Sequence, residues 1–96
     1  MHRQEIESRL RDHREELRSL HVSSLRLFGS VARGEEVEGS DVDLLVQFNR
    51  PVGLFHFVTV KQRLEEILGT EVDLVSQGGL KRQLRDRVLA EAVDVA

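Results

Sequence analysis

The sequence predicts a small α/β fold: a mixed β-sheet packed by helices, in the order helix, strand, short helix, strand, helix, strand, helix. Three observations point there. Apolar residues recur at intervals of three and four in three long segments, shorter apolar or alternating runs lie between them, and glycines stand at the junctions. With 96 residues there is room for one core, so residues 1–96 read as a single domain without length for a separate substrate-binding domain.

From His2 to Leu20 the residues Ile6, Leu10, Leu17 and Leu20 form a narrow apolar stripe among Arg and Glu, the pattern of an amphipathic first helix. His13 lies on that stripe and reads as a packing residue, because no second ligand sits one turn away; His2, His21 and His56 are set aside likewise. Ser24 to Phe28 is a short apolar run that stops at Gly29-Ser30, as a strand entering a turn does. Val31 to Arg33 suits a short helical turn, and the acidic stretch from Gly34 to Gly39 a surface loop. Asp41 to Phe48 alternates, with Val42, Leu44, Val46 and Phe48 on one face and Asp41, Asp43, Leu45 and Gln47 on the other. After Pro51, the residues Leu54, Phe57, Val60, Leu64 and Leu68 repeat helically up to Gly69. Glu71 to Val75 is the third strand, and Leu80, Leu84, Val88 and Ala92 mark a last helix to about Val93. Lys81, Arg82, Arg85 and Arg87 give that helix a basic, solvated side.

Composition narrows the function classes. Hydrophobic residues at 40% and charged residues at 32% describe a soluble chain with no membrane span. The absence of cysteine removes disulfides, Cys-ligated zinc and thiol catalysis, and with no charged-then-apolar leader the expected location is the cytoplasm. The 14 basic residues against 17 acidic ones leave a net charge of -3, which argues against direct binding of nucleic acid.

The chemistry follows from connectivity. A ten-residue link, Val31 to Ser40, between Gly29-Ser30 and Asp41 makes the first two strands antiparallel neighbours. A crossover helix makes the second and third strands parallel, which brings Asp73 beside Asp41 and Asp43. Three clustered carboxylates repel one another unless a cation neutralises them, and with no histidine nearby the donor set suits Mg²⁺. Such sites serve phosphoryl or nucleotidyl transfer, where two ions roughly 3.5–4 Å apart clamp the attacking and leaving oxygens and carboxylates at i and i+2 reach both. Gly29 allows close approach of a triphosphate, and Ser30 with the following amides can donate to its oxygens. Arg33 either contacts phosphate or braces the loop against a carboxylate.

The stretches Leu-Phe-Gly-Ser-Val-Ala-Arg-Gly (27–34), Ser-Asp-Val-Asp-Leu-Leu-Val (40–46) and Leu-Gly-Thr-Glu-Val-Asp-Leu-Val (68–75) resemble the polymerase-beta-like nucleotidyltransferase superfamily. They are most similar to its minimal branch, the antitoxins found beside HEPN-domain toxins, and the likeness extends to Glu91-Ala92-Val93. The resemblance implies an enzyme that transfers AMP from ATP to a tyrosine of a partner HEPN ribonuclease toxin. It implies that Gly29 and Ser30, with Arg33, hold the nucleotide, that Asp41, Asp43 and Asp73 form a two-ion Mg²⁺ site, and that Asp73 orients or deprotonates the acceptor hydroxyl. Glu71 stands where a basic residue is common and Asp94 where an aromatic often ends the chain, departures that bear on the partner surface. The expected partner contact is either the acidic 35–38 loop or the basic last helix. Two other readings share these residues: transfer to an aminoglycoside-type antibiotic, and neutralisation of a toxin by binding without turnover.

Overall fold

The computed structural model describes residues 2–35, 41–79 and 82–95. Helices α1 (Arg3–Asp12) and α2 (Arg14–Ser19) precede β1 (Val22–Phe28) and the single turn α3 (Gly29–Ala32). Strand β2 (Val42–Phe48) leads through α4 (Leu54–Leu68) to β3 (Val72–Ser76). A 3-10 turn (Gln77–Gly79), α5 (Arg82–Glu91) and the short β4 (Val93–Asp94) follow. The four strands form one mixed sheet in the order β3-β2-β1-β4, with β2 antiparallel to β1 and parallel to β3 as the connectivity predicts.

One face of this sheet carries the core. Alternation points Val42, Leu44 and Val46 of β2 and Val72 and Leu74 of β3 toward Ile6, Leu10, Leu17, Val60, Leu64 and Leu68, all buried. Polar contacts tie the helices to one another. Arg63 of α4 grips Glu16 of α2 through two hydrogen bonds, with Nη2 donating to Oε1 at 2.9 Å. Arg9 Nη1 donates to Leu68 O at 2.9 Å, supplying a partner for a carbonyl that the helix end leaves open. Gly69 then stops α4 in the left-handed conformation at φ +70°, its N–H bonded to Glu65 O at 2.8 Å. On the other face Leu45 is buried too, in register with Arg26 and Val75, while Gln47 is exposed.

Three expectations need correction. The first helix is two helices, because the His13 ring takes the place of its own amide: Nδ1–H donates to Arg9 O at 2.8 Å while the backbone N–H turns to Leu10 O at 3.2 Å. Leu54 is 75% exposed rather than part of the core stripe, since the first turn of α4 overshoots an apolar cluster whose margin here is Phe48 and Phe57. The last helix ends at Glu91, and Val93–Asp94 pair antiparallel with Leu27 and Arg26 as a fourth strand. Val95 N–H to Leu25 O at 3.0 Å and the Arg26–Asp94 ion pair at 3.1 Å hold it there, and two residues are too few to show a strand period in sequence. Leu80 and Lys81 lie outside the described residues.

Burial sets the expected response to truncation. Leu44→Ala should lower the unfolding free energy by about 2–5 kcal/mol in chemical denaturation, because the cavity opens at the centre of the sheet. Phe55→Ser, at a side chain 90% exposed, should change it by no more than ~0.5 kcal/mol.

Candidate active site

Strand register brings the predicted site residues to one end of the sheet. Phe28, the last residue of β1, pairs with Asp43 of β2, and Asp43 pairs with Asp73 of β3. Gly29 and Ser30 come directly after Phe28 as the start of α3, and Asp41 comes directly before β2. Asp43 is half-buried at the centre of the group, with Asp41 and Asp73 exposed on either side in sequence order. Two bonds fix the start of β3 just before Asp73: Val42 N–H of β2 donates to Glu71 O at 3.1 Å, and Val72 N–H donates to Glu65 Oε2 of α4 at 3.1 Å. Glu65 gave no signal in the sequence, where it reads only as a polar position of a helix.

Gly29 is required twice over. Its φ of +75° lies in the left-handed region, and a Cβ placed on it would fall on Asp43 Oδ2 and within 3.0 Å of Cγ. The carboxylate of Asp43 therefore rests against bare backbone at the mouth of the turn. That turn is closed by Arg33 N–H to Gly29 O at 3.2 Å and Glu35 N–H to Ser30 O at 2.8 Å, and its first amides have no helical partners by position.

Charge is concentrated on the same spot. Partial burial, then repulsion by Asp73 and by Asp41, then a carboxyl–carboxyl hydrogen bond with Asp73, push the Asp43 carboxyl above its ordinary value, with Arg33 opposing the shift. Among the described residues no three His, Asp or Glu groups are gathered as a ready ligand set. The chemistry of the three aspartates fits a hard divalent ion: oxygen donors only, on β2 and β3 and directly before β2, beside a glycine that carries no side chain. Arg33, whose role the sequence leaves open, braces the turn in this structure. Its Nε meets Glu35 Oε2 at 3.1 Å and its Nη1 meets Glu91 Oε2 at 3.2 Å, and these partners, Glu35 first, hold the guanidinium proton more tightly than usual. Glu91 is the partner that sequence reading missed. Ser40 and residues 36–38 lie outside the described residues, while Arg85 and Arg87 are exposed as expected. His21 and His56 stack at 5.7 Å beside Phe48, at the opposite end of β2.

Comparison with known proteins adds family context. Residues 10–95 match the family described as the nucleotidyltransferase domain. The protein adenylyltransferase MntA of Thermococcus cleftensis is 44% identical over 93 residues, covering 96% of this chain and 94% of that protein. A solved structure provisionally named a minimal nucleotidyltransferase is 44% identical, with a TM-score of 0.74 over 91% of this chain and 93% of its own. A chain in the complex of a tri-AMPylated Shewanella oneidensis HEPN toxin with an MNT antitoxin shares the fold, at a TM-score of 0.69 and 19% identity over 95% of this chain and 71% of that one.

Two stability measurements test the geometry of the site. Gly29→Ala should destabilise the protein by more than the backbone strain alone, and in an Asp43→Ala background the penalty should fall to about 1 kcal/mol, the strain of the left-handed position. The pH dependence has a definite sign. A carboxyl whose folded-state value is raised gives stability that is present below the unfolded value and lost as pH rises through the folded one. In chelator, Asp43→Asn should therefore melt higher than the parent at neutral pH and show a smaller loss of stability as pH rises across the carboxylate range.

Proposed function

Because this chain belongs to the nucleotidyltransferase domain family, we propose that it transfers AMP from ATP to a tyrosine of a partner HEPN-type toxin, acting in the cytoplasm as an antitoxin. The observation that carries this reading is the packing of Asp43 against Gly29, between Asp41 and Asp73, where a Cβ would collide with the carboxylate. A bare backbone beside clustered carboxylates suits a triphosphate that arrives with its counter-ion. Support comes also from the MntA relative, itself named a protein adenylyltransferase, and from the fold shared with an antitoxin that accompanies an AMPylated HEPN toxin.

The roles divide between the turn after β1 and the starts of β2 and β3. Gly29 leaves space for the phosphates, and the Ser30 hydroxyl and the amides after it donate to their oxygens. Asp41 and Asp43, with Asp73, would hold Mg²⁺, two ions in all. When bound, the metal neutralises phosphate charge and favours the departure of pyrophosphate. Asp73, exposed and at the start of β3, orients the acceptor hydroxyl and accepts its proton as the hydroxyl oxygen bonds to the α-phosphorus. The bond from that phosphorus to the bridging oxygen breaks, so one AMP is added and one pyrophosphate released. Arg33 maintains the turn through Glu35 and Glu91 and moderates the charge on Asp43. The chain acts as one domain, and the partner supplies the acceptor and the rest of the enclosure.

Incubation with the HEPN-type protein encoded beside it, ATP and Mg²⁺ should raise that protein's mass by one or more AMP units, with the modification mapping to tyrosine. Asp41→Asn and Asp43→Asn should each lower the rate at least about a hundredfold while leaving the fold intact, the scale expected when charge stabilisation in the transition state is lost. Full neutralisation of the toxin by the Asp41→Asn/Asp43→Asn double variant with no mass shift would overturn the catalytic reading in favour of binding alone. A mass shift on an aminoglycoside instead would overturn the choice of acceptor.

A further inference from the structure

A cleft of about 190 Å³ opens between α2 and the start of β1, lined by Arg14, Leu17 and Arg18 on one side and Val22, Ser23 and Ser24 on the other. It lies at the opposite end of β1 from Gly29, away from the aspartates. It is smaller than the roughly 300–1,000 Å³ of ordinary small-molecule pockets, and its apolar part, Leu17 and Val22, is buried. A nucleotide does not fit; one or two side chains do.

Charge and backbone each say what kind. Arg14 and Arg18 stand one helical turn apart, both exposed, and neither is paired with a carboxylate among the described residues. Like charges at this spacing disfavour the helix until an anion lies between them. The serine hydroxyls are already committed, Ser23 Oγ donating to Gln47 O at 2.8 Å and Ser24 Oγ to Gln47 Oε1 at 3.3 Å, so the guanidinium groups are the donors left to a ligand. The second feature is the strand edge. β4 pairs with Arg26 and Leu27, Val95 after it adds one bond to Leu25 O, and among the described residues no strand lies beyond β1 from Val22 to Ser24. An open edge is a template for another strand, and the register shift between Val22 and Ser24 adds the local twist that opposes flat self-stacking.

We infer that this cleft docks an extended, acidic segment of a protein partner, which adds to the β1 edge as a short strand and sets carboxylates on Arg14 and Arg18. A second copy of the chain is the wrong occupant, because isologous pairing through this edge brings four guanidinium groups together. A nucleic acid is wrong as well, since it offers no amides to the strand edge and meets a chain of net charge -3. The inference deepens the reading above by giving the acceptor protein a place to hold, and it rests on that reading only for the existence of a protein partner.

The experiment uses the full chain, isotopically labelled and without ATP, titrated with a capped pentapeptide alternating valine and glutamate. Amide resonances of residues 14–18 and 22–25 should shift, and amide exchange along the β1 edge should slow. The glutamine version of the peptide, and the Arg14→Ser/Arg18→Ser variant against the original peptide, should each bind at least about tenfold more weakly, whereas Arg14→Lys/Arg18→Lys should retain most of the affinity. Absence of binding, shifts centred elsewhere, equal binding of the glutamine peptide, or unchanged affinity in the serine variant would overturn the inference. Self-association that the serine variant abolishes would overturn it in favour of a second copy. Because nothing in this titration depends on nucleotide transfer, its failure and a failure of the AMP-transfer reading are distinguishable.

Discussion

The carboxylate of Asp43 is held against the Gly29 backbone with Asp73 opposite it in register and Asp41 two residues before it, and much of the remaining structure serves that placement. Left alone, the arrangement works against folding: burial and like charge both raise the Asp43 carboxyl. A protein keeps such a cluster only where the rest of the chain over-determines it. Here the over-determination comes from two strand pairings and a buried face that allows one register, because a slip of one residue would carry Asp43 into the core and Leu44 out of it.

The helical layer does its part from a distance. Ile6, Leu10, Leu64 and Leu68 cover the inner face and leave the outer face of β2 to Asp43 and Leu45. The C-terminal end of α4 is fixed by Gly69 and by Arg9 on Leu68 O, and Glu65 then takes the Val72 amide, so the crossover delivers Asp73 to β3 at a set height. At the other side of the site, Arg33 links the turn after Gly29 to Glu91 of α5, which joins the proposed phosphate end of the site to the last helix. The proposed chemistry needs little else from a small chain: a turn that yields space, carboxylates that share a cation, and a partner that brings the acceptor.

Most of this frame was legible in the sequence because it is written in strong periodic signals. The alternation from Val42 to Phe48 and the helical spacing from Phe57 to Leu68 each report a buried face, and connectivity alone then places Asp73 beside Asp43. What escaped the sequence has no period. β4 is two residues long and is held by an ion pair and a backbone bond to β1; the break at His13 depends on a ring nitrogen competing for one carbonyl; Leu54 keeps the helical spacing but extends past the cluster it would join. The clash that forbids a side chain at Gly29 is likewise a tertiary fact, although the Gly-Ser pair after a strand marked the position. Arg33 was visible as a choice between phosphate and carboxylate, and only the fold brings Glu91, 58 positions along the chain, within reach.

In the proposed function these aspartates take up a nucleotide together with a divalent cation. Calorimetric titration of ATP into the protein, once with Mg²⁺ and once in excess chelator, tests it most directly. Three carboxylates and a triphosphate repel one another without a cation, so the expected result is measurable binding with Mg²⁺ and an affinity at least about tenfold lower in chelator. Equal affinity under the two conditions would contradict the claim.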